Sequence, residues 1–333
     1  MGSKITRIEY YLPETVLTNE ELSREFPDWT PEKIEQKIGI RTRHITRKDE
    51  TALDLAYQAA LKVLEGTDRS TVDFVLLCTQ SPDYFLPTSA CILQDKLGLP
   101  TTAGALDFNL GCSGFIYGLA VAKGLISAGI ARKVLLLTSE TYTKFIHPKD
   151  KGNKTIFGDA AAATLVEFSD REAIFEFDLG TDGAGMNNLI VRNCGIRNPI
   201  DPKSETINEA GEIIPSGNHI FMNGPEIFNF TIKTIPVMIE SVLRKNKLTM
   251  NEIDFCVFHQ ANKYMLDYLR QKLKVPTEKY YNDMLETGNT VSATIPIGLF
   301  KAREKGQIRP GSRVLLCGFG VGYSWGATII QIQ

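Results

Sequence analysis

Hydrophobic residues along this chain keep two different periods. Residues 4–11 alternate polar with apolar and predict an opening strand. Apolar runs beginning at Asp73, Ala105, Lys133, Asp254 and Arg313 predict further strands, the one at Ala105-Leu106-Asp107-Phe108 short and buried. Elsewhere the spacing is helical. Leu53, Leu55, Ala56, Ala59, Leu61, Val63 and Leu64 mark a wide apolar face on a helix from Thr51 to Gly66. Thr18-Asn19-Glu20-Glu21-Leu22 predicts a short helix capped by Asn19, and Thr30-Pro31-Glu32 another with Pro31 in first position, closing near Gly39. Ile116 to Ile126 predicts a largely buried helix soon after the strand at Ala105.

The runs repeat. Asp73-Phe74-Val75-Leu76-Leu77-Cys78-Thr79-Gln80 resembles Asp254-Phe255-Cys256-Val257-Phe258-His259-Gln260-Ala261, 181 residues on. Lys133-Val134-Leu135-Leu136-Leu137-Thr138-Ser139 resembles Arg313-Val314-Leu315-Leu316-Cys317-Gly318-Phe319, 180 residues on. A helix, a short strand, a Gly-rich junction and a second helix separate the members in each half, which points to an internal duplication. The chain then divides into an N-terminal half, 1–170, and a C-terminal half, 171–333. Superposition carries Cys112 close to Ser292, so the two junctions face each other across a pseudo-twofold axis. Residues 187–224, broken by Asn193, Gly195, Asn198, Pro199, Pro202, Gly211, Pro215 and Gly217, read as an irregular connection covering one side of the site. Disorder is the second reading for 201–212.

Asn109-Leu110-Gly111-Cys112-Ser113-Gly114-Phe115 sets a cysteine between glycines where a strand turns into a helix. A thiol at a helix N-terminus meets the positive end of the dipole, which lowers its pKa and suits a nucleophile. A small buried core cysteine is the other reading. Ligands in such sheets sit beyond the carboxyl ends of the strands, so His259 and Asn289 converge on Cys112 under the duplication. A thiolate can take an acyl group from a thioester, and an imidazole beside an amide can stabilise an enolate. Backbone N–H groups at Cys112 and in Gly318-Phe319-Gly320-Val321-Gly322 supply a second oxyanion hole. These parts suit a decarboxylative Claisen condensation. The same trio serves cysteine hydrolases, and taken singly His259 can be a strand-end histidine and Asn289 a turn residue. The basic stretch Gly39 to His44 is either a solvated turn or a contact for an anion.

Composition narrows the partners. With 37 Lys and Arg against 39 Asp and Glu, the formal charge is -2, which gives no electrostatic footprint for nucleic acid or a membrane surface. Six cysteines form no C-x-x-C pair and no cluster with histidine, so neither a metal site nor a disulfide framework is expected and a reducing cytoplasm fits. The opening residues lack the apolar core of a signal peptide, and no apolar run reaches the length of a membrane span.

Together with Phe157-Gly158-Asp159-Ala160-Ala161-Ala162, Phe258-His259-Gln260-Ala261-Asn262, Gly288-Asn289-Thr290 and Gly320-Val321-Gly322-Tyr323-Ser324-Trp325-Gly326, the Cys112 stretch resembles the signature set of the beta-ketoacyl-acyl-carrier-protein synthase III family. The likeness runs from the opening strand to the C-terminus. It implies an α/β thiolase fold, two duplicated halves in a layered α-β-α-β-α arrangement, normally a homodimer. It implies an acyltransferase of fatty-acid biosynthesis that condenses an acyl primer, on coenzyme A or a carrier protein, with malonyl-acyl-carrier protein. No cofactor beyond these substrates is implied. By that resemblance Cys112 is acylated, His259 and Asn289 activate the malonyl group, and the backbone N–H groups of Cys112 and Val321 form the acyl-step oxyanion hole. Ile156, Phe157, Phe228, Ala261 and Asn262 would line the pantetheine tunnel. Tyr84-Phe85-Leu86-Pro87 would cross the dimer interface, with Leu86 in place of the larger aromatic often found there, which widens the range of primers.

Two departures from the family pattern stand out. Where the family clamps the adenine of coenzyme A between Trp and Arg, this chain aligns Lys33 and Lys151, with Lys37 a further candidate for the substrate and Trp29 four residues out of register. The family's basic carrier-docking residues are matched by Asn229 and Tyr264, with Lys233 and Lys263 close by as substitutes. The primer's nucleotide is therefore held differently, or the primer comes on a carrier protein. The alternative activity is a thiolase-fold acyltransferase of a specialised pathway that passes an acyl group to an oxygen, nitrogen or sulfur nucleophile without condensation.

Overall fold

The computed structural model describes residues 2–202 and 216–333, and the backbone alone at 206–207 and 213–214. The N-terminal half runs β1 (Gly2–Tyr11), β2 (Thr15–Thr18), α1 (Asn19–Glu25), α2 (Pro31–Ile38), β3 (Thr42–Ile45), α3 (Ala52–Val63), β4 (Phe74–Cys78), α4 (Ser89–Lys96), β5 (Gly104–Phe108), α5 (Gly114–Ser127), β6 (Lys133–Glu140), α6 (Lys151–Ile156) and β7 (Ala160–Ser169). The rest runs β8 (Ile174–Thr181), β9 (Leu189–Val191), β10 (Thr206–Ile207), β11 (Ile213–Ile214), β12 (Ile220–Met222), α7 (Gly224–Lys245), β13 (Phe255–Phe258), α8 (Lys263–Lys272), α9 (Thr294–Glu304), β14 (Arg313–Gly320) and β15 (Ser324–Gln331).

Two sheets carry the repeat. One has the order β1-β7-β6-β4-β5 and the other β8-β15-β14-β13, and the strands that match in sequence, β4 with β13 and β6 with β14, hold equivalent places. Each apolar strand divides its side chains by the strand's period of two. In the first sheet Leu76, Val134 and Leu136 face inward to α5 and α9, while Val75, Leu77, Leu135 and Leu137 face outward to α3 and α4. In the second, Phe255, Val257, Val314 and Leu316 face the same inner helices, while Cys256, Phe258, Leu315 and Cys317 face α7 and α8. The result is five layers, helix and sheet in alternation. The central helices are apolar nearly all round because sheets cover both sides: Phe115, Ile116, Leu119 and Ala122 of α5 and Ile295, Leu299 and Ala302 of α9 are buried. Each large side chain of this kind contributes about 1.5–3 kcal/mol over its exposed form.

The halves are not identical. The short strand expected in the second half as a partner of β5 is reduced to one parallel bridge between Cys256 and Tyr280, because the polar Asn282-Asp283 that follow do not extend a strand. The stretch 187–224 is more ordered than an irregular connection: β9 pairs antiparallel with β12, Leu189 opposite Met222 and Val191 opposite Ile220. Its Pro and Gly residues lie between these strands rather than in them. The expectation of disorder over 201–212 falls mainly on residues 203–205 and 208–212, outside the described residues.

Thr18, not Asn19, caps α1, its side chain accepting from the Glu21 N–H while the Glu21 carboxylate accepts from the Thr18 N–H. Asn19 is buried instead. Its Oδ1 accepts from the Arg43 guanidinium at 2.9 Å, and that guanidinium also reaches the Thr155 carbonyl at 3.0 Å. Arg43 therefore ties the β2–β3 hairpin to α6 from inside, and neither reading of the basic stretch, solvated turn or anion contact, fits it. Burial lowers its pKa to about 10.

Candidate active site

Cys112 precedes Ser113, the N-cap of α5, and its sulfur is pressed by β14 from the other half. A Cβ on Gly320 would lie 2.9 Å from the Cys112 sulfur, so only glycine lets that strand end approach. A Cβ on Gly114 would lie 3.5 Å from Ser292 Cβ, which sets the two junctions face to face as the duplication requires. Around the sulfur, Tyr142, Ile146, Phe157, Leu189, Ile220 and Val291 form a buried apolar shell, with Ile156 and Val321 packed against it.

That shell overturns one expectation. The helix start was expected to lower the thiol pKa, but burial pushes it up to about 12, with Glu140 adding to the rise and the backbone N–H groups of Cys112 and Val321 opposing it. Taking a thiolate out of water costs more than two N–H groups and a helix end return. Cys112 therefore rests as a thiol. The two opposing N–H groups are the pair expected for the acyl-step oxyanion hole, and both face the sulfur.

His259 leaves the end of β13 with its N–H bonded to the Cys317 carbonyl at 2.8 Å. Its ring stands edge-on to Phe319 at 5.6 Å, and Nδ1 lies 2.8 Å from Thr294 Oγ1 at the start of α9. Burial lowers its pKa to about 3, so the imidazole is neutral. Asn289 is gripped from the first half: its N–H donates to the Ile156 carbonyl at 2.9 Å and its carbonyl accepts from Gly158 at 3.0 Å. Its side-chain oxygen accepts the Val291 N–H at 2.9 Å, while Nδ2 makes only a long bond, 3.4 Å, to the Ala261 carbonyl. The amide edge left for a ligand is thus a donor. Val291 makes this possible with a φ of 55°, a left-handed backbone that a β-branched residue rarely adopts.

A cavity of about 530 Å³ opens beside this shell, with Gln80, Asn109, Tyr142, Phe145, Leu189 and Val321 in its wall. Tyr142 donates to Gln80 Oε1, Gln80 Nε2 donates to Asn109 Oδ1 at 2.8 Å, and the buried Glu140 carboxylate accepts the Gln80 N–H at 2.9 Å. Glu140 and Tyr142 were not singled out from the sequence. The signal was the polar Ser139-Glu140-Thr141 closing an otherwise apolar strand, at the end of the sheet where ligands sit. Thr294 and the backbone of Val291 leave no local signal.

A second cavity, about 590 Å³, is lined by Trp29, Lys37, Ile156, Asn262, Lys263 and Tyr264 among others. The structure corrects the register here. The ammonium groups of Lys33, Lys37 and Lys151 lie 5.9, 5.6 and 5.2 Å from the Trp29 ring centroid, so Trp29 stands among the lysines although its sequence position is displaced. Phe228 meets Tyr264 and Tyr268 at 5.5 and 5.3 Å near this mouth, and Asn262 caps α8. Lys233 is exposed on α7, and Lys263 pairs with Asp267 at 3.8 Å. Leu86 stands apart from the other candidates, 83% exposed beside Tyr84 and Phe85 on the surface. Among the described residues no group of three His, Cys, Asp or Glu side chains is placed to hold a metal ion.

Residues 106–183 match the family model described as 3-oxoacyl-[acyl-carrier-protein (ACP)] synthase III, and residues 243–332 match that of its C-terminal part. A beta-ketoacyl-[acyl-carrier-protein] synthase III of Clostridium perfringens is 34% identical over 334 residues, covering 99% of each chain. A synthase III of Halalkalibacterium halodurans is 36% identical, covering 99% of this chain and 96% of its own. A crystal structure of a 3-oxoacyl-(acyl-carrier-protein) synthase III superposes with a TM-score of 0.96 at 47% identity, covering 100% of both chains.

Proposed function

The chain belongs to the 3-oxoacyl-[acyl-carrier-protein] synthase III family, and from that membership we propose a two-stage reaction divided between its halves. It is a condensing acyltransferase that joins an acyl primer to malonyl-acyl-carrier protein in fatty-acid biosynthesis. In the first stage the Cys112 sulfur attacks the primer thioester; the new thioester forms on Cys112, and the leaving thiol departs with the proton. The N–H groups of Cys112 and Val321 hold the developing oxyanion. In the second stage malonyl-carrier protein loses carbon dioxide. His259 and Asn289 donate to the enolate oxygen, the carbanion attacks the acyl carbon, and the Cys112 sulfur leaves and regains a proton.

The observation that carries this reading is the neutral, buried His259 beside Asn289, whose own oxygen is engaged by Val291 so that its amide hydrogens face the site. Two donors and no acid suit an enolate better than a hydrolytic water. Incubation with an acyl thioester should add one acyl mass to the Cys112 peptide, and Cys112→Ala should abolish both the adduct and condensation. Hydrolysis of the primer without an adduct would contradict the reading.

The delivery side follows from the mouth. Trp29 with Lys37 and Lys151 offers an aromatic face and positive charge together, which supports a primer on coenzyme A whose nucleotide rests there. Lys233 and Lys263 supply charge for the acidic carrier. The exposed Tyr84, Phe85 and Leu86, with β5 at the free edge of its sheet, support a homodimer built on that side. Six unpaired cysteines support a cytoplasmic location.

A further inference from the structure

A third cavity shares a wall with the shell around Cys112 and has no part in the reaction argued above. It measures about 440 Å³, within the range of small-molecule sites, and Lys48, Lys144 and Lys154 line it with no carboxylate among the lining residues. Its floor is apolar. Leu17, Ile45, Ile146 and Phe157 supply it, the last two belonging also to the Cys112 shell. Thr46 and Thr143 complete the lining, but their hydroxyls and backbone N–H groups all donate to the buried Asp159 carboxylate, so the floor has no hydrogen to spare for a ligand. The rim does. Lys144 Nζ donates to the Arg47 and Lys48 carbonyls at 2.9 and 3.0 Å and keeps one hydrogen, while Lys154 Nζ donates to Glu25 and keeps two. Lys48 is exposed, and its ammonium has no partner among the described residues. With Glu25 set against Lys154, the charges of Lys48 and Lys144 are uncompensated within the lining. Arg47, outside it, is matched by Glu14 at 3.6 Å and Asp49 at 3.9 Å, both open to solvent and screened there.

From this arrangement we propose that the cavity binds a fatty carboxylate, its alkyl chain on Leu17, Ile45, Ile146 and Phe157 and its carboxylate among the ammonium groups of Lys48, Lys144 and Lys154. An apolar floor under a cationic rim asks for both parts in one molecule. A bare anion would reach the rim and leave the floor wet, and a neutral chain would cover the floor and leave the ammonium groups unpaired. A nucleotide fits less well, because its base would meet no free donor on the floor. Each methylene seated there raises affinity about fourfold. The site is separate from the mouth at Trp29: Gly152, Thr155 and Ile156 line that mouth, Lys154 and Phe157 line this cavity, and α6 stands between. The proposal holds whatever reaction Cys112 performs.

The test titrates decanoate into the full-length protein by calorimetry, beside decanol, which keeps the chain without the charge, and acetate, which keeps the charge without the chain. Decanoate should bind at least about tenfold tighter than either. Lys48→Glu should weaken it on the order of tenfold, Lys48→Arg should bind as the wild type does, and Lys37→Glu, at the other mouth, should stay within about twofold. Location is read from the sulfur: at the decanoate concentration that saturates the wild type, alkylation of Cys112 by iodoacetamide should stay within about twofold of the free protein. No binding of decanoate overturns the proposal, as does equal binding of decanol or of acetate. An affinity unchanged in Lys48→Glu, or lost in Lys37→Glu, overturns it too. Protection of Cys112 would put the fatty acid in the primer cavity, and also overturns it. If wild-type Cys112 accepts no acyl group from any primer, the condensing reading fails by itself, while the titrations still decide this site.

Discussion

The two junctions that meet at the site come from one repeated frame and have been given opposite environments. At the start of α5 stands a sulfur wrapped in Tyr142, Phe157, Leu189, Ile220 and Val291, with two backbone N–H groups against it and the buried Glu140 carboxylate near enough to oppose its ionisation. At the start of α9 stand an imidazole and an amide, the ring held at Nδ1 by Thr294 and the amide by the Val291 N–H, which leaves its Nδ2 edge outward. In the proposed reaction the first stores a covalent intermediate away from water. In the same reaction the second stabilises charge that exists only in passing. A duplicated fold can thus separate acyl storage from carbanion chemistry without any change of backbone plan.

The largest expected effect probes the sulfur's enclosure. With its thiol pKa pushed up to about 12, Cys112 alkylation by iodoacetamide should rise about tenfold per pH unit, so on the order of a hundredfold from pH 7 to 9, without levelling off. A plateau below pH 8 would mean that the helix end outweighs burial and that the two junctions are less different than described. The mouth, shared by both stages, comes next: Trp29→Ala should raise KM for an acyl-coenzyme A primer about tenfold and leave KM for malonyl-acyl-carrier protein nearly unchanged. Equal rises for both would place Trp29 in carrier docking instead.

The smallest effect tests the polar junction. An unfolded histidine takes up a proton below pH 6.5, whereas buried His259 refuses it down to about 3. Between those limits the unfolded state binds more protons, so stability falls as pH falls, by about 1.4 kcal/mol per unit once below 6.5. In urea melts from pH 6.5 to 4.5 the wild type should lose stability relative to His259→Gln by that slope, the opposing contributions of buried Glu140 and Asp159 being common to both. The same slope in both proteins would mean that His259 is solvated.

The layered frame was legible because buried strands leave long apolar runs and because Asp73 and Asp254 open the same run twice. That the Cys112 junction faces the one holding Asn289 was legible for the same reason: the repeat carried the first onto the second. What escaped lies in contacts between elements that the sequence pattern does not link. Trp29 reaches Lys151 through the path of the chain between α1 and α2, not through its register. Arg43 looked like a surface cation, yet Asn19 and the Thr155 carbonyl draw it inside. The raised thiol pKa depends on shell residues scattered from 142 to 291, and the Thr294 bond on the approach of α9 to the end of β13. Period and spacing record what each element buries, and carry no record of which element it then meets.

The division of labour is tested most directly by following both half-reactions in one sample of Asn289→Ala, with acyl mass on the Cys112 peptide and carbon dioxide released from malonyl-acyl-carrier protein read side by side. Acylation should stay within about threefold of the wild type, while carbon dioxide release falls on the order of a hundredfold, the usual cost of one lost oxyanion donor. Loss of acylation in step with decarboxylation would contradict the account, because the two junctions would then act as one site.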